Sequence, residues 1–233
     1  MKVSTAKPEI ITLSEQLLWQ VKMGKLTDNL EETLQRIKMD ELVSELNDDA
    51  AKKTFWINIY NAFFQILSVK KKKTKPEIFT QKLIIIADTP FSLDDIEHGI
   101  LRRYRWKLSL GYLPNLFTRN IIKQLSVKKI DFRIHFALNC GAKSCPPIAF
   151  YTLSKLENQL ETAAFSFLTA ETEVDTQHKV VKTSALLKWF IGDFGGKKGI
   201  KKALSKYLET DVSDYTIQFK PYDWTMAHHN FIE

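Results

Sequence analysis

The chain has 233 residues, of which 44% are hydrophobic, 26% charged and 12% aromatic. This balance excludes wholesale disorder and low-complexity architecture, and the length allows one domain with a sizeable core. Apolar runs fall short of the ~18 residues of a membrane span, and residues 1–25 lack the continuous apolar stretch of a secretory signal. We therefore expect a soluble protein, cytoplasmic as the chain is written, or secreted or periplasmic if a leader has been removed.

The net charge of +7 raises the question of a nucleic-acid partner. The densest basic runs, residues 70–75 and 197–202, contain lysine but no arginine. Nucleic-acid readers usually combine arginine with interleaved aromatic residues, whereas lysine runs are typical of solvated surface. A nucleic-acid partner is therefore not expected, and contact with an anionic membrane or polymer stays open.

The N-terminal third is predicted to be helical. Residues 13–23 and 30–46 repeat apolar side chains at helical spacing, and Thr27 is placed to cap the second helix. Residues 52–67 carry a wide apolar stripe that predicts a more buried helix. Further along, Ser92 and the acidic residue three positions later predict a capping box, which opens a helix carrying Glu97, His98 and Arg102.

Residues 130–139 alternate in a way that predicts a strand. Ile134, Phe136 and Leu138 would share one face, and the other face would carry Arg133, His135, Ala137 and Asn139. Residues 140–145 follow as a loop, because Gly141 ends the strand and two prolines prevent an immediate helix.

The remaining elements complete a mixed α and β pattern. They are a strand at residues 83–87, a helix from the Ser154 and Glu157 capping box to about Leu168, a hairpin at 173–182, a helix from Ser184 through Phe190, and a last strand at 215–224. We predict an α+β fold, a mixed sheet packed by helices, with a helical extension over residues 1–49 and a core domain over 50–233.

Several segments in order resemble one family, the domain of unknown function 547. They read FWINIYNA at 55–62, SLDDIEHGILR at 92–102, RIHFALNCGAKSCPP at 133–147, KWF at 188–190, DFG at 193–195 and YDW at 222–224. After residue 224 the chain departs from the family's pattern, so the resemblance implies no role for His228 and His229. By analogy, the resemblance implies a fold similar to the papain and transglutaminase-like group, whose members use a cysteine and a histidine.

The residues themselves provide a thinner, independent case for thiol chemistry. A thiol becomes a useful nucleophile when a base lowers its pKa and a third group orients that base. Cys140 is the predicted nucleophile, since Gly141 lets another backbone approach and the family pattern holds the first cysteine more constant. His135 or His98 would be the base, with Glu97 or Asn61 as the orienting group.

Other polar side chains have both binding and structural interpretations. Substrate binding is assigned to Arg102, Arg133, Asn58, Asn139 and Cys145. The structural alternatives are an ion pair between Arg133 and Asp131, and an interaction of Glu97 with the helix dipole or with Arg102. His98 would hydrogen-bond to the backbone, and Asn58 and Asn61 would form a buried amide network. His228 and His229 are expected to be exposed.

Metal and redox chemistry have little support in the sequence. His135, Cys140, Cys145 and His98 could supply zinc ligands, but the cysteine spacing is wider than usual, so no metal site is assigned. A redox pair or a local disulfide between the cysteines is disfavoured because the two-residue spacer of thioredoxin-like motifs is missing. With no glycine-rich phosphate loop, no cofactor is expected.

Three functions remain in competition. The leading hypothesis is a thiol-dependent hydrolase or acyltransferase acting on an amide or peptide-like substrate. The alternative is a noncatalytic module that binds a peptide, or an acidic ligand held by Arg102 and Arg133, in a Cys/His-lined cleft. The third is a purely structural role. The substrate and the oligomeric state are not predicted.

Overall fold

A computed structural model describes residues 9–232, and this part of the chain is mixed helix and strand. The helices are α1 (Glu9–Lys22), α2 (Asp28–Arg36), α3 (Met39–Glu45), α4 (Asp49–Gln65), α5 (Glu77–Thr80), α6 (Asn120–Leu125), α7 (Leu156–Glu171), α8 (Leu186–Trp189) and α9 (Gly196–Tyr207). The strands are β1 (Ile84–Ile86), β2 (Thr89–Phe91), β3 (Glu173–Asp175), β4 (Val180–Ser184) and β5 (Thr216–Lys220). Short 3-10 and π-helical segments include Phe132–Phe136 and Asp95–Leu101.

Helix α4 forms the centre of the larger hydrophobic core. Residues 51–65 are all buried, and the aromatic and aliphatic side chains among them belong to this core. The Asp48 side chain caps its start by accepting from the Ala51 amide at 2.8 Å. Helix α1 packs into the same core as α4 through residues such as Ile11 and Leu18.

The strands form two small sheets. Strands β1 and β2 pair as an antiparallel hairpin with Ile84 opposite Phe91. In the second sheet β4 is central, antiparallel to β3 and parallel to β5, so this sheet is mixed. Helices α7 and α9 pack with it around a second core that includes Phe136, Phe167 and Leu204.

These features confirm the α+β class at the level of mixed helix and strand. The likeness to papain and transglutaminase-like folds stays a prediction, as does the division into residues 1–49 and 50–233. Residues 1–8 and 233, at the ends of that division, lie outside the described residues. Between residues 9 and 232 no helix combines the length and apolarity required to cross a bilayer.

Several local predictions are confirmed. The buried helix predicted at 52–67 is α4, the predicted strand at 83–87 contains β1, and the hairpin predicted at 173–182 is formed by β3 and β4. The final strand is present as β5. The capping box is reciprocal, since the Ser92 amide donates to Asp95 at 3.1 Å and the Asp95 amide donates to the Ser92 hydroxyl at 3.0 Å.

The predicted strand at residues 130–139 is wrong. Asp131 caps a 3-10 helix instead: its carboxylate accepts from the Arg133 amide at 3.1 Å, and its carbonyl accepts from the Ile134 amide at 3.2 Å. This turn buries Ile134, His135 and Phe136 in succession, so the proposed separation into two faces does not exist.

The single helix predicted at 30–46 is also wrong, because tertiary hydrogen bonds interrupt it. The carbonyls of Leu34 and Gln35 accept from the amides of Ala87 and Asp88 in the β1–β2 turn, at 3.0 and 2.9 Å. These carbonyls would otherwise accept from amides four residues further along a continuous helix. The chain is extended at Lys38, and α3 then begins.

Two predicted caps form differently. Thr27 occupies the N-cap position of α2, but its hydroxyl donates to the Glu31 carboxylate at 2.7 Å and accepts no helix amide. The capping box predicted for Ser154 and Glu157 does not form at the start of α7. The side chain of Gln159 instead accepts a hydrogen bond from the Thr152 amide at 2.9 Å.

We predict that Asn58→Ala destabilises the protein. The Asn58 amide bonds both backbone groups of Tyr151, at 2.8 and 3.1 Å, in a fully buried setting. Loss of both hydrogen bonds leaves two buried groups unsatisfied, so the free energy of unfolding should fall by about 2–4 kcal/mol. Urea denaturation measures this change.

The exposed Asn158 in α7 provides the matched control, since Asn158→Ala makes the same change in another helix. It should alter the free energy of unfolding by less than about 0.5 kcal/mol. Equal effects of the two substitutions would contradict a role for the buried amide.

Candidate functional site

A cavity of about 420 Å³ brings together most of the predicted catalytic side chains. Its wall contains Cys140, Cys145, His135, His98 and Glu97. Aromatic side chains line much of the remainder, namely Tyr60, Phe79, Trp189, Phe190, Tyr222 and Trp224. The wall is therefore mainly apolar, with a few titratable groups set into it, as is typical of a small-molecule or substrate site.

Two buried amides hold the loop that carries the cysteines. Asn61, in α4, donates to the Ala137 carbonyl at 2.9 Å and accepts from the Asn139 amide at 2.9 Å. Asn139 spans the loop by donating to the Pro146 carbonyl at 2.7 Å and accepting from the Gly141 amide at 2.8 Å. The structural interpretation of Asn61 is thus confirmed, and the predicted roles of Asn61 and Asn139 toward a substrate stay predictions.

Gly141 is required by the shape of the loop. Its φ of +73° lies in the left-handed region, and a Cβ there would approach the Phe64 ring to 2.5 Å. Only glycine adopts this conformation without strain while the ring packs beneath it. The turn expected after the first cysteine is therefore real, although it does not follow a strand.

The two cysteines form a disulfide. The expectation against a local disulfide was wrong, because the five-residue separation brings the two Cα atoms to 6.2 Å, within the range that a disulfide bridges. The Cys145 sulfur accepts from the Cys140 amide at 3.0 Å and from the Tyr222 hydroxyl at 3.1 Å. Neither sulfur makes a hydrogen bond to a histidine ring in the described structure.

Asp193 is a site residue that sequence reasoning missed. Its buried carboxylate lies 2.8 Å from Nε2 of His135 and accepts from Nε of Arg102 at 2.5 Å. The residue lies in the DFG motif at 193–195, which contributed to the family resemblance but had no predicted role. Its 58-residue separation from His135 gave no local signal.

Arg102 connects the two histidines from behind the cavity wall. Its Nη1 lies 2.7 Å from Nδ1 of His98, and its Nε and Nη2 bond the two oxygens of Asp193. The guanidinium also packs 4.5 Å from the centre of the Phe190 ring. Fully buried and committed to these partners, Arg102 lies outside the cavity lining, and its predicted role toward a substrate stays a prediction.

These contacts determine the protonation of the histidines. Arginine has no acceptor, so Nδ1 of His98 must accept, and burial followed by the charge of Arg102 holds the pKa of His98 well below its usual value. Burial also lowers the pKa of His135, although Asp193 opposes this effect. Both rings are therefore neutral at neutral pH.

The Asp193 carboxylate stays ionised. Burial favours its protonated form, but the hydrogen bonds from His135 and Arg102, together with the charge of Arg102, outweigh burial and lower its pKa. An ionised carboxylate accepts the Nε2 proton of neutral His135, which leaves Nδ1 of that ring as its basic nitrogen.

Glu97 is the second buried carboxyl group at the site. Desolvation raises its pKa to about 7, only partly opposed by the charge of Arg102. The Tyr60 hydroxyl donates to it at 3.2 Å. A carboxyl group with this pKa can donate or accept a proton near neutral pH.

Some predicted residues lie away from the cavity. Arg133 binds Asp131 with two hydrogen bonds, at 2.9 and 2.7 Å, which confirms the predicted ion pair. It lines another cavity, of about 700 Å³, so the structure does not bring it to Cys140. Asn58 holds the backbone of Tyr151, and its assigned role in substrate binding stays a prediction.

The histidines near the C-terminus do not line the cavity that contains Cys140. His228 and His229 are exposed, as predicted. Within residues 9–232, no group of three or more His, Cys, Asp and Glu side chains is arranged to hold a metal ion.

We predict that Glu97→Gln changes the pH dependence of stability. The folded protein retains the Glu97 proton up to about pH 7, whereas the ordinary pKa is 4.5. Between these values the folded state binds more protons than the unfolded state, so the wild-type free energy of unfolding falls as pH rises. The Glu97 contribution should approach about 3 kcal/mol across this window.

Urea denaturation of wild type and Glu97→Gln at pH 5 and pH 8 measures this contribution. The variant should lose less stability than wild type between the two pH values, whereas Glu41→Gln, at an exposed position in α3, should follow wild type. Parallel behaviour of wild type and Glu97→Gln would show that burial does not hold the proton.

Comparison with known proteins identifies the family. The chain matches the family model described as protein of unknown function, DUF547, over residues 43–168, more than half of its length. No curated protein and no solved structure matches. The matched region includes Glu97, both histidines of the site and both cysteines. The resemblance of the three motifs after residue 168, at 188–190, 193–195 and 222–224, stays a prediction. The chain belongs to the DUF547 family.

Proposed function

We propose that the protein is a thiol-dependent hydrolase or acyltransferase that acts on an amide or peptide-like substrate. The observation that supports this most directly is that His135, which lines the same cavity as Cys140, pairs with Asp193 at 2.8 Å. A nucleophile, a base and a group that orients the base are the parts that acyl transfer requires.

In the proposed reaction, Sγ of Cys140 attacks the substrate carbonyl carbon. Nδ1 of His135 takes the thiol proton and returns it to the nitrogen as the carbon–nitrogen bond breaks, which leaves the acyl group on Sγ as a thioester. Water, or an acceptor nucleophile, then attacks the thioester and releases the acyl group from Cys140. Asp193 accepts from Nε2, which fixes the tautomer and stabilises the imidazolium during the transfer. His98 and Glu97 lie on the same wall as alternative proton carriers, and the pKa of Glu97, about 7, suits this task.

The disulfide sets a condition on this chemistry. A sulfur in a disulfide carries neither a proton nor the negative charge of a thiolate. Cys140 can therefore attack a carbonyl only after the disulfide is reduced. The amides of Asn61 and Asn139 anchor the loop at residues outside the disulfide, which favours retention of the loop position when the bond opens.

A binding module is the second candidate, and the composition of the cavity wall favours it. Trp189, Tyr222 and Trp224 contact one another, with ring centres 4.7–5.3 Å apart. An aromatic cluster can hold an apolar ligand without any reaction. Such a module would show a ligand-induced rise in melting temperature, with no preferential labelling of a reduced cysteine.

We predict that iodoacetamide labels Cys140 of the reduced protein faster than it labels a model thiol. Asp193→Asn should slow this labelling at least about tenfold at neutral pH, because His135 loses the group that maintains its basic tautomer. Mass spectrometry of the labelled peptide over time measures the rate, and circular dichroism confirms that the variant is folded.

The exposed pair of Asp175 and His178, 2.7 Å apart, offers a matched control. Asp175→Asn changes a surface carboxylate beside a histidine in the same way and should leave the labelling rate unchanged. Two results together would refute Cys140 as the nucleophile: labelling of Cys140 no faster than that of a model thiol, and amide turnover that survives Cys140→Ala.

A further inference from the structure

The two cysteines of the disulfide differ in exposure. Both cysteines line the cavity of about 420 Å³, but residue Cys140 is partly exposed, whereas residue Cys145 exposes only 6% of its surface. A small molecule that enters the cavity therefore reaches Cys140 more readily than Cys145. Access is one of the factors that decide which sulfur of a disulfide is attacked.

The hydrogen-bond donors are distributed in the opposite sense. The Cys145 sulfur has two donors, the Cys140 amide at 3.0 Å and the Tyr222 hydroxyl at 3.1 Å. The Cys140 sulfur lies farther from the same hydroxyl, at 3.6 Å. Hydrogen bonds to an anion stabilise it and lower the pKa of its conjugate acid, so negative charge is better accommodated on Cys145.

The surrounding structure holds the Tyr222 hydroxyl in this position. The segment after β5 runs beside the cysteine loop, where the Lys143 amide donates to the Thr225 carbonyl at 2.8 Å and the Ala227 amide donates to the Gly141 carbonyl at 2.8 Å. The Tyr222 ring packs against Trp189, with ring centres 4.8 Å apart. Since the donor is already in place, no rearrangement is required to stabilise a thiolate at Cys145.

We propose that the Cys140–Cys145 disulfide is a thiol–disulfide exchange centre that takes a small-molecule monothiol. The monothiol enters the cavity as a thiolate, having lost its proton to solvent, and its sulfur attacks Sγ of Cys140. The bond between the cysteines breaks, and its electron pair leaves with Cys145 as a thiolate. The products are a mixed disulfide on Cys140 and an anionic Cys145.

A second monothiol completes the reduction. Its thiolate attacks the external sulfur of the mixed disulfide, releases Cys140 as a thiolate and leaves as the symmetrical disulfide of the monothiol. Two electrons thus pass from two monothiols to the protein. Release of Cys140 would switch on the hydrolase or acyltransferase, and this regulatory consequence rests on the proposed function, whereas the exchange reaction does not.

The test uses the oxidised full-length protein and 2-mercaptoethanol. Samples are quenched with acid at short times, free thiols are blocked with N-ethylmaleimide, and trypsin separates the two cysteines by cleaving after Lys143. The expected first product carries 2-mercaptoethanol on Cys140 and N-ethylmaleimide on Cys145. First adducts mainly on Cys145, or a reduction rate no faster than that of the urea-unfolded chain, would overturn the proposal.

Tyr222→Phe tests the donor without removing the aromatic ring. The first step should slow about tenfold, the size expected for loss of one hydrogen bond to a charged group. Tyr112→Phe, at an exposed position, is the matched control and should exchange at the wild-type rate. A Tyr222→Phe rate equal to wild type would contradict the assigned leaving group.

The exchange measurement contains no amide substrate, so it is independent of the proposed hydrolase. Selective attack on Cys140 without amide turnover after reduction would retain the exchange centre and reject the hydrolase. Amide turnover by the reduced protein, combined with first adducts on Cys145, would reject the exchange centre and retain the hydrolase.

Discussion

The buried guanidinium of Arg102 is the interaction on which the geometry of the site depends. It joins the Asp95–Leu101 segment to Asp193, and Asp193 in turn holds His135. Removing one partner of such a buried pair leaves an uncompensated charge, which typically costs about 3–5 kcal/mol. Gly111 belongs to the same arrangement, because a Cβ there would lie 2.4 Å from Oδ1 of Asp193. Electrostatics and a close backbone approach thus determine together where the imidazoles lie.

Local rules predicted the parts of the site that neighbouring residues determine. The apolar surface of α4 and the reciprocal contact of Ser92 with Asp95 arise within one or two helical turns, so periodicity and capping patterns predict them. The sequence also predicted that Cys140 lies near His98 or His135, although this prediction depended on the motifs that resemble the family. All three residues line one cavity, and their chemical roles stay proposals.

Long-range contacts explain what the sequence did not predict. Residues 130–139 alternate like a strand, yet the Asp131 side chain favours a turn, which a two-residue period cannot represent. Asp193 and Tyr222 lie 58 and 82 residues from His135 and Cys140 respectively, and no spacing rule links such positions. The disulfide was missed for a different reason: a motif spacing specific to one redox fold was applied to a loop that Gly141 bends sharply.

The protonation of the cavity constrains how a reduced cysteine could react. Burial keeps the pKa of His135 low, so a preformed pair of thiolate and imidazolium is disfavoured in the resting site. Neutral Nδ1 would instead remove the Cys140 proton as the sulfur attacks, with the Asp193 charge stabilising the imidazolium only during the transfer. The fixed donors around Cys145 allow the neighbouring sulfur to carry negative charge without an imidazolium. In the proposed chemistry the two sulfurs therefore take different steps: Cys140 would attack a carbonyl with the help of a base, and Cys145 would depart as a hydrogen-bonded thiolate.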